Sequence, residues 1–248
     1  MELLELDEDS LMEIFSYFDF NELLALSAVC QRFLHLCQRH LRKIRHFELD
    51  YRSVVSRENY PDYLRNVFTS LGPTLEAFRF SGGYIMDDRL KQLIVDGLAA
   101  HCTNLRHLTI NYTILNAHQL RSLAVLHGTL EHLDLGRCDL TDDMLGEFLR
   151  SVHPLRLITL AIPGNTNLLG GFFKDWTTAE RLEQLDLSYC HSLNVQEMDE
   201  FLCYAKRLMA VDVTGSLWLQ RSKDIFRKDG RSIAMGTNIP VLDYYKAG

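Results

Sequence analysis

The sequence predicts an α/β chain: a short solenoid of strand–bend–helix units, with a small unit of three helices in front of it. Three observations carry that prediction. A phrase L-x-x-φ-x-φ, with φ apolar, recurs six times; a small or polar residue follows each copy at a fixed distance; and apolar residues at helical spacing stand between copies. The first forty or so residues lack the phrase and have a charge pattern of their own.

The copies are LEAFRFSGG from Leu75, LRHLTINYT from Leu105, TLEHLDLGRC from Thr129, LITLAIPGN from Leu157, RLEQLDLSYC from Arg181 and LMAVDVTGS from Leu208. Their last apolar positions are Phe80, Ile110, Leu135, Ile162, Leu187 and Val213, separated by 30, 25, 27, 25 and 26 residues. A near-constant period in this range marks a solenoid in which each unit stacks on the next. Alternation of apolar and other residues in each phrase gives the strand.

Three residues past each last apolar position stand Gly83, Thr113, Cys138, Asn165, Cys190 and Ser216. All six suit a sharp bend, where a short side chain must meet free backbone groups. An apolar residue follows at Ile85, Leu115, Leu140, Leu168 and Leu193. Helical faces come next, such as Leu90, Ile94 and Leu98, or Leu145 and Leu149, at i, i+4 spacing. Thr141 before Asp142 and Asp143 reads as a helix N-cap with acids in the first turn, and Asn194 with Glu197 as a capping box. Cys138 and Cys190 are accounted for as buried bend residues, because no partner stands at metal-ligand spacing.

Composition narrows the function classes. A net charge of −7 argues against general nucleic-acid binding. No apolar run approaches the roughly 20 residues of a membrane helix, and the acidic start MELLELDEDS is unlike a secretory signal. Six cysteines without CxxC spacing point to reduced thiols and an intracellular protein, cytoplasmic and/or nuclear. No phosphate loop, HExxH or GxSxG occurs, so neither a cofactor nor a metal is expected.

The repeat resembles the leucine-rich repeat in its cysteine-containing form, L-x-x-L-x-L-x-x-C-x-x-L-T-D. TLEHLDLGRCDLTDDML at 129–145 matches it except for one residue missing between Cys138 and Leu140. The resemblance covers about 75–216, with 154–180 its loosest copy. Residues 44–73 read as a degenerate first repeat whose bend would fall at Arg52, and 217–248 as a C-terminal cap in which Trp218, Leu219, Ile225 and Phe226 could cover the last turn.

Residues 1–22 hold eight acids and no Lys or Arg, whereas 31–57 hold seven Lys or Arg against Glu48 and Asp50. Leu11, Ile14, Phe15 and Phe18 share one helical face, with Asp9 or Ser10 as its cap; Leu23, Leu26 and Val29 form a second; Phe33, Leu36, Cys37, Leu41 and Ile44 a third. Three such short helices carry more apolar side chains than they can enclose. The surplus is covered by the first repeat or by another protein, unless the unit merely caps the solenoid.

The stretch resembles an F-box, whose pattern runs approximately L-P-x-E/D-x-L-x-x-I-F-x-Y-L, then D-L, then V-C-x-x-W. Leu6, Leu11, Ile14-Phe15, Tyr17-Phe18, Glu22-Leu23 and Val29-Cys30 stand in register. Asp7 replaces the usual proline, which removes a rigid turn, and Phe33 replaces the common tryptophan. An F-box (1–43) joined to leucine-rich repeats (44–216) resembles the substrate receptors of SCF-type ubiquitin ligases. The resemblance implies docking on a Skp-family adaptor, linked to cullin and RING subunits, through Leu6, Leu11, Ile14, Phe15, Phe18, Leu23, Leu26, Val29 and Phe33.

It also implies a protein substrate on the strands' outer, concave face. Strand alternation puts there a central row of Arg79, Thr109, Asp134, Ala161, Asp186 and Asp212, flanked by His107, His132 and Gln184 on one side and Tyr112, Arg137 and Tyr189 on the other. Three aspartates in that row suggest a partner with a basic segment, although Asp is also a common filler of such phrases. Six strands would span some 25–30 Å. No bond chemistry is expected of the chain, nor nucleic-acid or membrane binding. Rival readings are a non-catalytic scaffold and an F-box protein acting with the adaptor outside ubiquitination.

Overall fold

The computed structural model describes residues 5–83, 85–150, 156–177, 179–194, 198–216 and 233–236. Three helices open the chain: α1 (Glu8–Phe15), α2 (Phe20–Ser27) and α3 (Gln31–Leu41). Acidic side chains set the first two starts. Asp7 caps α1, its Oδ1 accepting the Ser10 N–H at 2.8 Å and its Oδ2 the Ser10 hydroxyl at 3.0 Å. The expected caps, Asp9 and Ser10, lie inside the helix. Asp7 therefore replaces proline's fixed φ with a capping hydrogen bond. Asp19 and Glu22 form a reciprocal capping box at α2, with bonds of 2.9 and 2.7 Å.

Leu11, Phe15, Leu23 and Phe33 point into the core, and the rings of Phe15 and Phe33 meet edge to face at 5.3 Å. Burial of each contributes about 1.5–3 kcal/mol. The apolar surplus of the helices is partly absorbed by the first repeat. Phe20 lies 5.8 Å from Phe47 and 6.0 Å from Tyr63, ring centre to ring centre. Beside them Arg57 donates to Asn21 Oδ1 at 3.0 Å and its guanidinium sits 3.9 Å over the Tyr63 ring.

Among the described residues eight parallel strands follow, neighbours in space as they are in sequence: β1 (His46–Asp50), β2 (Ala77–Ser81), β3 (His107–Asn111), β4 (His132–Asp134), β5 (Thr159–Ala161), β6 (Gln184–Asp186), β7 (Ala210–Asp212) and β8 (Ala234–Gly236). The intervening helices are α4 (Tyr51–Val55), α5 (Tyr60–Leu71), α6 (Asp88–His101), α7 (Ala117–Ser122), α8 (Asp142–Leu149), α9 (Phe172–Asp175) and α10 (Met198–Tyr204). From α5 onward each touches the next, so one helix layer follows the order of one sheet. That is a solenoid, as the period predicts.

Two strands exceed the six expected. β1 pairs with β2 over five residues, so the first repeat is complete as a strand. Its bend is what is lost: Arg52 lies within α4, which begins directly after β1 with Asp50 as N-cap. At the other end β8 pairs with β7 where a cap was expected, extending the sheet to about 34 Å at ~4.8 Å per strand. Trp218, Leu219, Ile225 and Phe226 lie outside the described residues.

The bends are built as expected. Thr113, Cys138, Asn165, Cys190 and Ser216 are all buried. Cys138 Sγ donates to the Ile110 carbonyl at 3.0 Å and Cys190 Sγ to that of Ile162 at 3.2 Å. Burial pushes the Cys190 thiol up to about 12 and that of Cys138 higher than its ordinary value too, so both stay protonated. Leu115, Leu140, Leu168 and Leu193 fill the core after the bends, but Ile85 is 92% exposed. Met86 packs there instead, six residues past Phe80, the spacing of Leu168 from Ile162 and Leu193 from Leu187. The predicted faces of α6 and α8 are buried, and Thr141 caps α8 through the Met144 N–H. Glu197, the second half of the Asn194 capping box, lies outside the described residues.

Candidate functional site

The helix-free face of the sheet carries the predicted rows in register. Arg79, Thr109, Asp134, Ala161, Asp186 and Asp212 stand side by side on successive strands, as do His107, His132, Thr159 and Gln184. Arg79 reaches Glu48 on β1 at 3.8 Å. The imidazoles of His107 and His132 stack at 4.4 Å with their planes 6° apart. Burial, then the neighbouring His132, lowers the His107 pKa to about 4, and burial lowers that of His132. Both rings are therefore neutral near pH 7, which lets them stack without charge repulsion.

The central row is not the open acidic surface that the sequence suggests. Thr109, Ala161, Asp186 and Asp212 are buried. Each aspartate turns to its own backbone: Oδ1 of Asp134, Asp186 and Asp212 accepts the N–H two residues on, from Gly136 at 3.0 Å, Ser188 at 2.8 Å and Thr214 at 2.8 Å. Asp134 also accepts from Asn111 Nδ2 at 3.2 Å. These are Asx turns that end the strands, which gives the recurring Asp of the phrase a structural cause. Burial raises the pKa of Asp134 to about 6 and raises that of Asp186.

Exposed chemistry collects instead at the rim where the strands exit. The residue two past the last apolar position takes a left-handed backbone in five units: Tyr112 (φ 56°), Arg137 (55°), Gly164 (68°), Tyr189 (58°) and Gly215 (75°). For a side-chain-bearing residue this costs roughly 1–2 kcal/mol, which glycine escapes. Tyr112 is 40% and Tyr189 48% exposed, and the Arg137 guanidinium lies 5.2 Å from the Tyr112 ring centre. Arg137 and Tyr189 each lean over the glycine of the next unit: a Cβ on Gly164 would stand 2.8 Å from Arg137 Cγ, and one on Gly215 only 2.5 Å from Tyr189 Cδ1.

Beside Arg137 and Tyr189 runs an open groove of about 470 Å³, lined also by Ile114, Asp139, Thr166 and His191 above Gly164. Asp139, also left-handed at φ 57°, accepts from Asn167 Nδ2 at 2.6 Å. Tyr112, Arg137 and Tyr189 were legible as a flank, whereas Ile114, Asp139, Thr166 and His191 were not. Aligning the copies on the glycines at 164 and 215 would have marked the rim, since three other units carry large residues there.

The nine candidate adaptor residues divide. Leu11, Phe15, Leu23 and Phe33 are core and cannot face a partner without unfolding the unit. Leu6, Ile14, Phe18 and Leu26 are half-buried against that core, and Val29 is 63% exposed. Tyr17, 80% exposed, belongs with Val29 although it was not singled out. The two stand in the turns at opposite ends of α2.

The F-box domain model matches residues 3–45. The chain thus carries an F-box domain, followed by a solenoid of parallel strands and helices. No curated protein matches the chain. Among solved structures it is similar to the crystal structure of a Rad7 and Elc1 complex in yeast, at 16% identity over 75% of this chain and 67% of that one, with a TM-score of 0.40. It is also similar to a proposed dehydratase from Mesorhizobium loti, at 11% identity over 79% of this chain and 54% of that one, with a TM-score of 0.30.

Proposed function

We propose that this chain is the substrate-recognition subunit of an SCF-type ubiquitin ligase. The F-box docks on a Skp-family adaptor, and through it on cullin and RING subunits, while the repeats hold a protein substrate. The chain performs no bond chemistry; it raises the effective concentration of substrate lysines near a charged ubiquitin-conjugating enzyme. The observation that carries the reading is the F-box match at residues 3–45 together with exposed Val29 and Tyr17, whereas the other large apolar groups among the unit's described residues are partly or wholly buried. Leu6, Ile14, Phe18 and Leu26 complete the docking surface, and the buried four support it.

Substrate contact falls to the exposed residues among those predicted, above all Tyr112, Arg137 and Tyr189, with Arg79, His132, Asp134 and Gln184 on the half-buried part of the strand face. Asp186, Asp212, Thr109 and His107 shape that face from within. A cytoplasmic or nuclear location follows from this role. The test is reconstitution: the chain, co-purified with a Skp-family adaptor, is added to a cullin–RING complex with ubiquitin, E1 and E2. Ubiquitin conjugation to the chain that depends on the adaptor supports the reading, and adaptor binding without any conjugation favours a role outside ubiquitination.

A further inference from the structure

We infer that three arginines at the strand-entry edge of the later repeats, Arg156, Arg181 and Arg207, bind a partner protein through the acidic stripe of a helix. The three stand at one position of the unit, 25 and 26 residues apart, each three residues before the mutually paired Thr159, Gln184 and Ala210. The segments that carry them are stacked by hydrogen bonds: the Gln184 N–H donates to the Ile158 carbonyl and the Ala210 N–H to that of Glu183, both at 3.1 Å. Leu157, Leu182 and Leu208 beside them are buried and the arginines are exposed, one unit after another at about 4.8 Å per strand.

Missing counter-charge sets this edge apart. In the earlier units bridges between neighbours neutralise it, Arg45 to Glu76 at 3.4 Å and Arg106 to Glu131 at 3.2 Å, and Thr74, Asn104 and Thr129 hold the position of the three arginines. At β5, β6 and β7 that position is arginine each time, and among the described residues none of the three is ion-paired. Lys206 adds to the row, while Glu180 and Glu183 oppose it without pairing. Residues 156–158, 180–183 and 206–209 thus hold four cations against two carboxylates, an excess of two in a chain of net charge −7.

That excess selects an acidic partner, and guanidinium forks are suited to carboxylates. Spacing selects a helix. Carboxylates at i, i+4 and i+7 recur about once per 5.4 Å turn and drift by only about 1 Å over the two steps of the row. Same-face residues of an extended chain recur at about 6.7 Å and drift by about 4 Å. Met209, 55% exposed two residues past Arg207, gives such a helix an apolar contact. The leucines between the arginines are buried and offer bases no stacking platform, and the chain's net charge repels a polyanion. The F-box packs at the other end of the sheet, where Phe20 meets Phe47 on β1, so adaptor docking leaves this edge open.

This inference deepens the receptor reading and rests on it for its biological sense, the partner being a substrate. The probes are two labelled, alanine-rich helical peptides of one composition, one with three glutamates at i, i+4 and i+7, the other with them spread around the helix. Fluorescence anisotropy at low ionic strength is measured on the full chain, Arg181→Gln, Arg156→Gln/Arg207→Gln and Arg89→Gln, whose arginine is exposed on α6. The striped peptide is expected to bind at least ten-fold tighter than the scattered one. Its affinity should fall at least ten-fold on each of the first two variants and stay unchanged on Arg89→Gln. Equal binding of the two peptides, equal binding to the edge variants, or no binding would overturn the inference. So would tighter binding of an RNA oligonucleotide of the same charge, which would assign the row to nucleic acid. A Skp-family adaptor is titrated on the same preparation: peptide binding without adaptor binding leaves the edge standing and removes the ligase reading, and the converse removes only the edge.

Discussion

Asn165 accepts the backbone N–H of Cys138 at 3.0 Å, so the bend of one repeat is held by the bend of the next. Its Oδ1 also takes the Leu140 N–H at 3.1 Å, and its Nδ2 donates to the carbonyls of Leu135 and Ile162, both at 2.9 Å. One fully buried amide thus satisfies four backbone groups from two units. Asn165→Ala is expected to lower stability by about 2–4 kcal/mol, since buried donors and acceptors lose their partners. Cys138→Ala leaves one carbonyl short and costs about 1 kcal/mol. Urea unfolding of both variants checks the order.

Gly164 and Gly215 differ from the other rim residues in what lies on them. Gly164→Ala and Gly215→Ala should each destabilise by about 1–2 kcal/mol, through the left-handed backbone and the contact with Arg137 or Tyr189. Trimming the overlying side chain should relieve the second part: Tyr189→Ala combined with Gly215→Ala is expected to cost less than the sum of the two single changes. A double-mutant cycle reads this directly.

The His107–His132 stack makes the sheet sensitive to acid. The folded pKa of His107, about 4, lies below its ordinary 6.5, so its contribution is complete above pH 6.5 and is lost as pH falls towards 4. The loss amounts to about 1–3 kcal/mol. Asp134 acts in the opposite sense, because a carboxyl raised to about 6 binds its proton more tightly when folded. The comparison that isolates the histidine is wild type against His107→Gln. Between pH 7 and 4 the wild type should lose more stability than the variant by that amount; parallel pH profiles would show that the stack carries no such linkage.

The period, the bends and the helical faces were legible because each depends on residues within one unit. Asn165 and Cys138 could be placed in bends from their spacing alone. What stayed hidden depends on neighbours in space. β1 lacks a bend residue, yet its strand register with β2 needs none. The Asp of L-D-L reads as surface charge in sequence, and only the short path from Oδ1 to the N–H two residues on shows it to be a turn. Leu11 and Val29 are both apolar and both fit the F-box pattern, but nothing local distinguishes 0% from 63% exposure. Asp7 looked like the loss of a turn and proved to be its replacement.

That division decides how the central claim must be tested. Leu11→Asp or Phe15→Asp would place a charge in the core and abolish adaptor binding by unfolding, whatever the role of the surface. Val29→Asp and Tyr17→Asp alter exposed positions, where substitutions change stability by about 0.5 kcal/mol or less. The decisive measurement is therefore the dissociation constant of a Skp-family adaptor for the wild-type chain and for Val29→Asp/Tyr17→Asp, with thermal unfolding of both recorded alongside. Binding by the wild type that weakens at least a hundred-fold in a variant of unchanged melting temperature is the predicted result. Equal affinity of the two folded chains, or no binding by either, would contradict the account.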